Sequence, residues 1–162
     1  MRNKKLLILA CIVLCLPWLA ARLPGRGRVL SLTDVAGREV AVIPLPDREF
    51  TLTYIHSVHR SPVYEKYETD ERLNLVLRET KFDALGVGMP YDAAEGELEN
   101  RDGEFRLTGL TRTYEYINIM VTAVPGQGIV VAGAEYPLQQ FAVPGSAVTL
   151  RARRTGLFEL SK

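Results

Sequence analysis

The chain has 162 residues, of which 47% are hydrophobic and 24% charged, a composition typical of one globular domain. Its net charge of +1 is unevenly distributed, because residues 1–28 hold six basic side chains and no acidic one. The other 14 basic residues face 19 acidic ones, so residues 29–162 carry a net charge of −5. This acidic body argues against nucleic-acid binding, because contact with phosphates needs a basic surface.

The N-terminal segment 1–22 predicts a signal peptide or a membrane anchor. A basic start, RNKK at residues 2–5, precedes sixteen uncharged residues, which is the plan of a secretory signal. As a helix this run would span about 24 Å, slightly less than the ~30 Å hydrocarbon core of a bilayer. An uncleaved anchor, cleavage after Ala20-Ala21 and lipidation at Cys11 all remain open. The body is therefore expected to be exported, either anchored in the inner membrane facing the periplasm or secreted after cleavage.

Both cysteines of the chain, Cys11 and Cys15, lie inside this leader. The body therefore has no disulfide, no thiol nucleophile and no thiolate metal site. Residues 23–28 follow the leader and are predicted to be a tether between the membrane and the domain.

Residues 29–162 have the pattern of a single β-domain. Apolar and polar residues alternate in short runs that Gly-, Pro- and Asp-containing turns separate. The predicted strands are 38–45, 50–56, 63–69, 73–81, 104–110, 113–123, 128–133, 136–142 and 146–153. Residues 91–101 are predicted to be a short helix or an open loop. The expected fold is an all-β sandwich or flattened barrel of about 8–10 short, mainly antiparallel strands, preceded by an N-terminal transmembrane or signal helix.

One predicted hairpin, made by the runs 50–56 and 63–69, places polar residues at the edge of an apolar face. Pairing His56 with Val63 sets Tyr54 opposite Glu65 on that face. A carboxylate in this position needs a partner, since burying it alone is costly. His56 is the expected partner.

The same hairpin contains the residue types of a hydrolase, namely His56, Ser57, Ser61 and Glu65. However, neighbouring side chains on a strand point to opposite faces, so Ser57 is not placed beside His56. No G-x-S-x-G elbow occurs in the sequence. We therefore expect no enzymatic activity and keep a hydrolase as a remote alternative.

Zinc is a second chemistry that the hairpin residues suggest. His56, His59 and Glu65 are weak candidate ligands, and the chain has no other histidine. The favoured interpretation is a solvated His59 and a structural hydrogen bond between His56 and Glu65. No cofactor is predicted.

The segment 86–90 (GVGMP) has glycines that could cradle an anion, but no predicted helix follows it, so a phosphate loop is not expected. A tight crossover is the simpler interpretation. If this segment meets the 57–62 loop, the two would form a corner for a carboxylate or a protein partner. The candidate binding residues are Tyr54, His56, Ser57, Arg60, Glu65, Gly86, Gly88 and Pro90.

Three ordered motifs carry a family resemblance. They are Y-x-H-S-V at 54–58, P-V-x-E at 62–65, and E-T-x-F with a following G-x-G-M-P at 79–90. On these motifs the chain resembles the bacterial family named domain of unknown function 1850, over about residues 30–152. The family has no established activity. The resemblance implies a small exported protein, of a kind often encoded beside tripartite (TRAP-type, TAXI-class) transporters that depend on a periplasmic binding protein.

The leading hypothesis is a non-enzymatic, membrane-tethered periplasmic accessory or binding module of a TRAP-type transporter. Its expected partners are the membrane, through the N-terminal segment, and the transporter permease or its periplasmic binding protein. The alternative is an independent exported β-domain that binds a small ligand or a metal.

Overall fold

The computed structural model describes residues 27–84 and 96–155. The predicted leader, tether residues 23–26 and the candidates Gly86, Gly88 and Pro90 lie outside the described residues. Arg28–Arg153 form one compact unit, and the described residues outside it are Gly27, Arg154 and Thr155. Among these, the backbone N–H of Thr155 donates to the carbonyl of Gly27 at 2.9 Å. No helix in the described part of the chain is long and apolar enough to cross a membrane.

Regular structure in the described residues consists of twelve strands and one turn of 3-10 helix, Leu138–Gln140. The strands are β1 (Arg28–Asp34), β2 (Glu39–Pro44), β3 (Glu49–Ile55), β4 (Pro62–Thr69), β5 (Leu75–Phe82), β6 (Glu97–Arg101), β7 (Glu104–Thr108), β8 (Thr113–Tyr114), β9 (Ile117–Met120), β10 (Gly128–Val131), β11 (Ala134–Pro137) and β12 (Ala147–Arg154). The prediction of an all-β, antiparallel domain is confirmed, although with more strands than expected.

The strands form two sheets. A four-stranded sheet has the order β2-β1-β12-β9, and an eight-stranded sheet has the order β11-β10-β3-β4-β5-β7-β6, with β8 paired to β5. Each sheet has open edges, so neither is a closed barrel. Buried side chains of both sheets join in one hydrophobic cluster, for example Leu30 and Leu150 of the first sheet with Leu52 and Val63 of the second. Burying each such side chain stabilises the fold by about 1.5–3 kcal/mol.

Strand β1 was not predicted, because its sequence does not alternate. Val29, Leu30 and Leu32 are fully buried, and Ser31 is only 6% exposed. β1 lies between β2 and β12 rather than at an edge, and a run of buried residues is typical of a covered strand. Ser31 is compatible with this position because its hydroxyl donates a hydrogen bond to Glu39 Oε2 at 2.5 Å.

Three further predictions of local structure were wrong. The predicted strand 113–123 is divided into β8 and β9, which belong to different sheets. The described part of the segment 91–101 contains strand β6 instead of a helix or loop; its sequence ELENR is mostly exposed, as charged edge strands are. The predicted strand 136–142 ends at Pro137, where the 3-10 helix begins. Proline has no backbone N–H to continue a ladder, which accounts for this end.

The hairpin of β3 and β4 has a different register from the predicted one. Tyr54 pairs with Val63, and Leu52 pairs with Glu65, so the pairing is shifted by two residues. An even shift keeps the same side chains on the same face. The core-facing side of the hairpin was therefore predicted correctly, whereas the contacts along it were not.

The turn that closes this hairpin explains the shift. The N–H of His56 donates to the carbonyl of Ser61 at 2.9 Å, and the N–H of Arg60 donates to the carbonyl of His56 at 2.8 Å. Arg60 has a left-handed backbone (φ +54°), which lets the chain reverse within residues 57–60. The loop is thus tighter than the predicted 57–62 loop.

Candidate functional site

The described parts of the three sequence motifs meet on neighbouring strands. Tyr54 on β3 pairs with Val63 on β4, and Val63 pairs in turn with Phe82 on β5. Two residues further along β4, Glu65 pairs with Thr80. Glu65 shares its face of β4 with Val63 and Tyr67, which are buried, and is itself half-buried. The motifs therefore converge on one carboxylate at the inward face of the sheet.

Two tyrosines hold this carboxylate. The hydroxyl of Tyr54 donates to Glu65 Oε1 at 3.0 Å, and the hydroxyl of Tyr67 donates to Glu65 Oε2 at 2.7 Å. Hydrogen bonds to an ionised acceptor are roughly twice as strong as neutral ones. Within the described part of the chain, Glu65 forms no ion pair, so the phenols are the groups that compensate its charge.

The tyrosines are themselves fixed and kept neutral. The Tyr67 ring stacks on Phe50 with centroids 5.1 Å apart and meets the edge of Tyr114 at 6.3 Å. Burial raises the pKa of both Tyr54 and Tyr67, and the negative charge and hydrogen bond of Glu65 raise it further. Both hydroxyls therefore remain donors to Glu65 well above neutral pH.

Thr80 completes the polar group on this face, which we call the Glu65 cluster (Tyr54, Glu65, Tyr67 and Thr80). Thr80 is fully buried, and its hydroxyl has no hydrogen-bond partner among the described residues. An unpaired buried hydroxyl costs about 1–3 kcal/mol. The candidate binding residues predicted from the sequence did not include Tyr67 or Thr80, although Thr80 belongs to the E-T-x-F motif. The alternation of Val63, Glu65 and Tyr67 along one strand face indicated that Tyr67 lies beside Glu65.

The predicted hydrogen bond between His56 and Glu65 is not formed. His56 lies beyond the last paired residue of β3, and its Nδ1 accepts a hydrogen bond from the backbone N–H of His59 at 3.3 Å. The two imidazole rings are stacked, with centroids 5.0 Å apart. The correction follows from the register, which brings Tyr54, and not His56, to Glu65.

His56 and His59 instead belong to the turn that joins β3 and β4. We call residues 56–61 the 56–61 turn. Its outer side chains Ser57, Val58 and Arg60 are exposed, with Val58 67% exposed. His59 is half-buried, contrary to the prediction of a solvated residue, and its Nε2 is buried without a partner in the described structure. The turn is thus internally braced and displays a serine, a valine and an arginine.

The zinc hypothesis is not supported by this arrangement. Among the described residues, no three His, Cys, Asp or Glu side chains are grouped closely enough to hold a metal ion. Both carboxylate oxygens of Glu65 already accept hydrogen bonds from tyrosines. In this arrangement His56 and His59 stack on each other in the turn, while Glu65 is held by the two tyrosines.

Comparison with known proteins gives a family. A family model described as "Domain of unknown function (DUF1850)" matches residues 50–138, which is more than half of the chain. The chain belongs to this family. The DUF1850 region starts in β3 and ends at Leu138, so it contains the Glu65 cluster and the 56–61 turn. No curated protein and no solved structure matches the chain.

The left-handed backbone of Arg60 leads to a stability prediction. Since residues with a Cβ are strained at φ +54°, Arg60→Gly is expected to raise the free energy of unfolding by about 0.5–1 kcal/mol. Chemical denaturation monitored by circular dichroism measures this change. Arg72→Gly is the matched control, because Arg72 is also an exposed turn arginine but is not among the residues with positive φ. A loss of stability in Arg60→Gly equal to that in Arg72→Gly would contradict the strained conformation.

Proposed function

We propose that this DUF1850 chain is a non-enzymatic binding module, tethered to the outer side of the inner membrane by its N-terminal segment. In this proposal it serves a tripartite transporter by contacting the permease or the periplasmic binding protein. The observation that carries the proposal is the 56–61 turn, a braced and exposed loop next to the residues in which the family motifs converge.

The turn has the properties of a docking element. Three contacts fix its backbone, those of His56 with Ser61, Arg60 and His59, so little conformational entropy is lost when a partner binds. It presents an apolar side chain, Val58, beside a cation, Arg60. Arg60 is held in a strained conformation, and strain of this kind is concentrated at functional sites.

Support for a non-enzymatic role comes from how the polar residues are used. Both oxygens of Glu65 are engaged by tyrosines, and His56 Nδ1 is engaged by the backbone. In the described residues, no hydrogen bond joins the hydroxyl of Ser57 or Ser61 to a histidine ring, as an activated nucleophile requires. A hydrolase is therefore not favoured.

Support for the membrane and transporter parts comes from the sequence. The basic start and the uncharged run of residues 6–21 favour export and tethering. The association with a transporter rests on the gene neighbourhood that the family resemblance implies. This part is an association and not a chemical argument.

Copurification from native membranes tests the proposal. The full chain is expected to retain a transporter permease or binding protein, identified by mass spectrometry. Val58→Asp should reduce the recovered partner about tenfold, because a charge at the centre of a contact costs on the order of 1–2 kcal/mol or more. Only a substitution in the 56–61 turn is expected to reduce the recovery of the partner.

Val35→Asp is the matched control, since Val35 is 81% exposed in the turn between β1 and β2. It should recover the partner as well as the unmodified chain does. The proposal is overturned if no transporter component is recovered, or if both variants recover it equally.

A further inference from the structure

A cleft lies on the outer face of the eight-stranded sheet, on the side opposite the Glu65 carboxylate. Thr51, Thr53 and Ile55 alternate along β3 with buried Phe50 and Leu52, so they face outward. These outward side chains border a cleft of about 560 Å³, which is within the usual range of small-molecule sites.

The register of four strands explains why a depression forms here. One row across the sheet runs from Tyr64 on β4 through Thr53 on β3 and Gly128 on β10 to Pro137 on β11. Gly128 has no side chain, so the row is low in its middle and high at Tyr64 and Pro137. A Cβ at Gly128 would lie 3.1 Å from the carbonyl oxygen of Tyr136, so β11 approaches β10 closely at this point.

The floor of the cleft contains the Thr53 hydroxyl, which is already hydrogen-bonded within the protein. The hydroxyl of Thr53 donates to the carbonyls of Gly126 and Gly128, at 3.1 and 3.3 Å. The wall is partly aromatic, because Tyr64 is 43% exposed. Ile55, Pro62 and Val130 also line the cleft, so a ligand would meet an aromatic and aliphatic surface.

Among the described residues that line this cleft, one is charged. Glu135 on β11 is exposed and forms no ion pair or hydrogen bond within the described structure. None of the described lining residues is basic. Two basic residues neighbour the lining in the register. Lys66 pairs with Thr51, and its ammonium is held by Glu49 at 2.7 Å. Lys81 pairs with Tyr64, and its ammonium lies 3.9 Å from the carboxylate of Glu104.

We infer that this cleft binds a small organic cation, an ammonium compound with an aromatic or aliphatic body. The ammonium would lie beside the Glu135 carboxylate, and the body would pack on Tyr64, whose ring face also attracts cations. A carboxylate ligand would meet the like charge of Glu135, and the neighbouring ammonium groups of Lys66 and Lys81 already face carboxylates of their own. The inference goes beyond the proposed function, because it uses neither the 56–61 turn nor a transporter.

Fluorine NMR titrations of the full chain in detergent test this inference with three probes of equal size. The probes are para-fluorobenzylammonium, para-fluorobenzyl alcohol and para-fluorobenzoate, each corrected for its partition into protein-free micelles. The cation is expected to bind about fivefold or more tightly than the alcohol, and the anion to bind most weakly.

Glu135→Gln should abolish the preference for the cation over the alcohol, whereas Tyr64→Ala should weaken the binding of both. Glu115→Gln is the matched control, because Glu115 is exposed and unpaired in the described structure but lies outside the cleft. It should leave all three affinities unchanged, and thermal melts should show that each variant is folded.

Three results would overturn the inference. They are binding of the benzoate as tight as that of the cation, a cation preference that survives Glu135→Gln, and no measurable binding of any probe. None of these results changes the copurification test, so failure of this site and failure of the proposed function are separable.

Discussion

Replacing Glu65 by alanine is expected to lower the free energy of unfolding by about 3 kcal/mol. The substitution removes the acceptor of both Tyr54 and Tyr67, and the Tyr67 side chain is only 4% exposed. Its hydroxyl cannot turn to water, so it bears the full cost of an unmade buried hydrogen bond. For a domain of this size the melting temperature should fall by about 6–12 °C, which differential scanning calorimetry measures.

Glu68→Ala is the matched control for this prediction. Glu68 lies on the same strand and pairs with Arg78 at 3.0 Å, but both side chains are about 40% exposed. Exposed ion pairs contribute about 0–1 kcal/mol, so this variant should melt within a few degrees of the unmodified chain. If Glu65→Ala is no more destabilised than Glu68→Ala, the Glu65 cluster does not stabilise the sheet.

Alkaline pH is expected to destabilise the fold through Tyr54 and Tyr67. Both phenols have a pKa raised above the ordinary value of 10, so the folded state holds its protons where the unfolded state loses them. The stability that the two phenols contribute is therefore fully present below pH 10 and is lost as the pH rises beyond it. By linkage, each tyrosine can contribute a loss of up to about 2 kcal/mol between pH 10 and pH 12, measured by denaturant unfolding at several pH values.

Tyr67→Phe separates this effect from the titration of other groups. The variant lacks one of the two hydroxyls and should lose less stability between pH 10 and pH 12 than the unmodified chain. Tyr64→Phe is the control, since Tyr64 is 43% exposed, and this variant should lose as much stability between pH 10 and pH 12 as the unmodified chain. An equal loss of unfolding free energy in all three proteins would show that Tyr67 is not held as a buried donor.

The sequence predicted the fold class because period-two alternation is a direct consequence of strand geometry. It also placed Phe50, Leu52 and Tyr67 on the core side, since a register error of two residues leaves faces unchanged. The same error misidentified the partner of Glu65. The register depends on the left-handed conformation of Arg60, and a residue other than glycine gives no sign of that conformation in the sequence.

Other features that the sequence did not predict have the same physical origin. Each depends on neighbouring strands that are distant in the chain. β1 has no alternation because side chains on both of its faces are buried, and it lies between strands from the two ends of the described chain. β6 has few apolar residues because it lies at a sheet edge. The cleft at Gly128 requires the register of four strands, and β10 and β11 follow β4 by more than 50 residues. No local sequence motif therefore predicts the cleft.

The central claim is that tyrosines, and not a histidine, hold the carboxylate on which the DUF1850 motifs converge. A pair of double-mutant cycles on unfolding free energies, Glu65→Ala with Tyr67→Phe and Glu65→Ala with His56→Ala, tests it most directly. The Glu65–Tyr67 coupling energy is predicted to be about 2 kcal/mol and the Glu65–His56 coupling energy to be below about 0.5 kcal/mol. A large coupling to His56 with a negligible coupling to Tyr67 would contradict the claim.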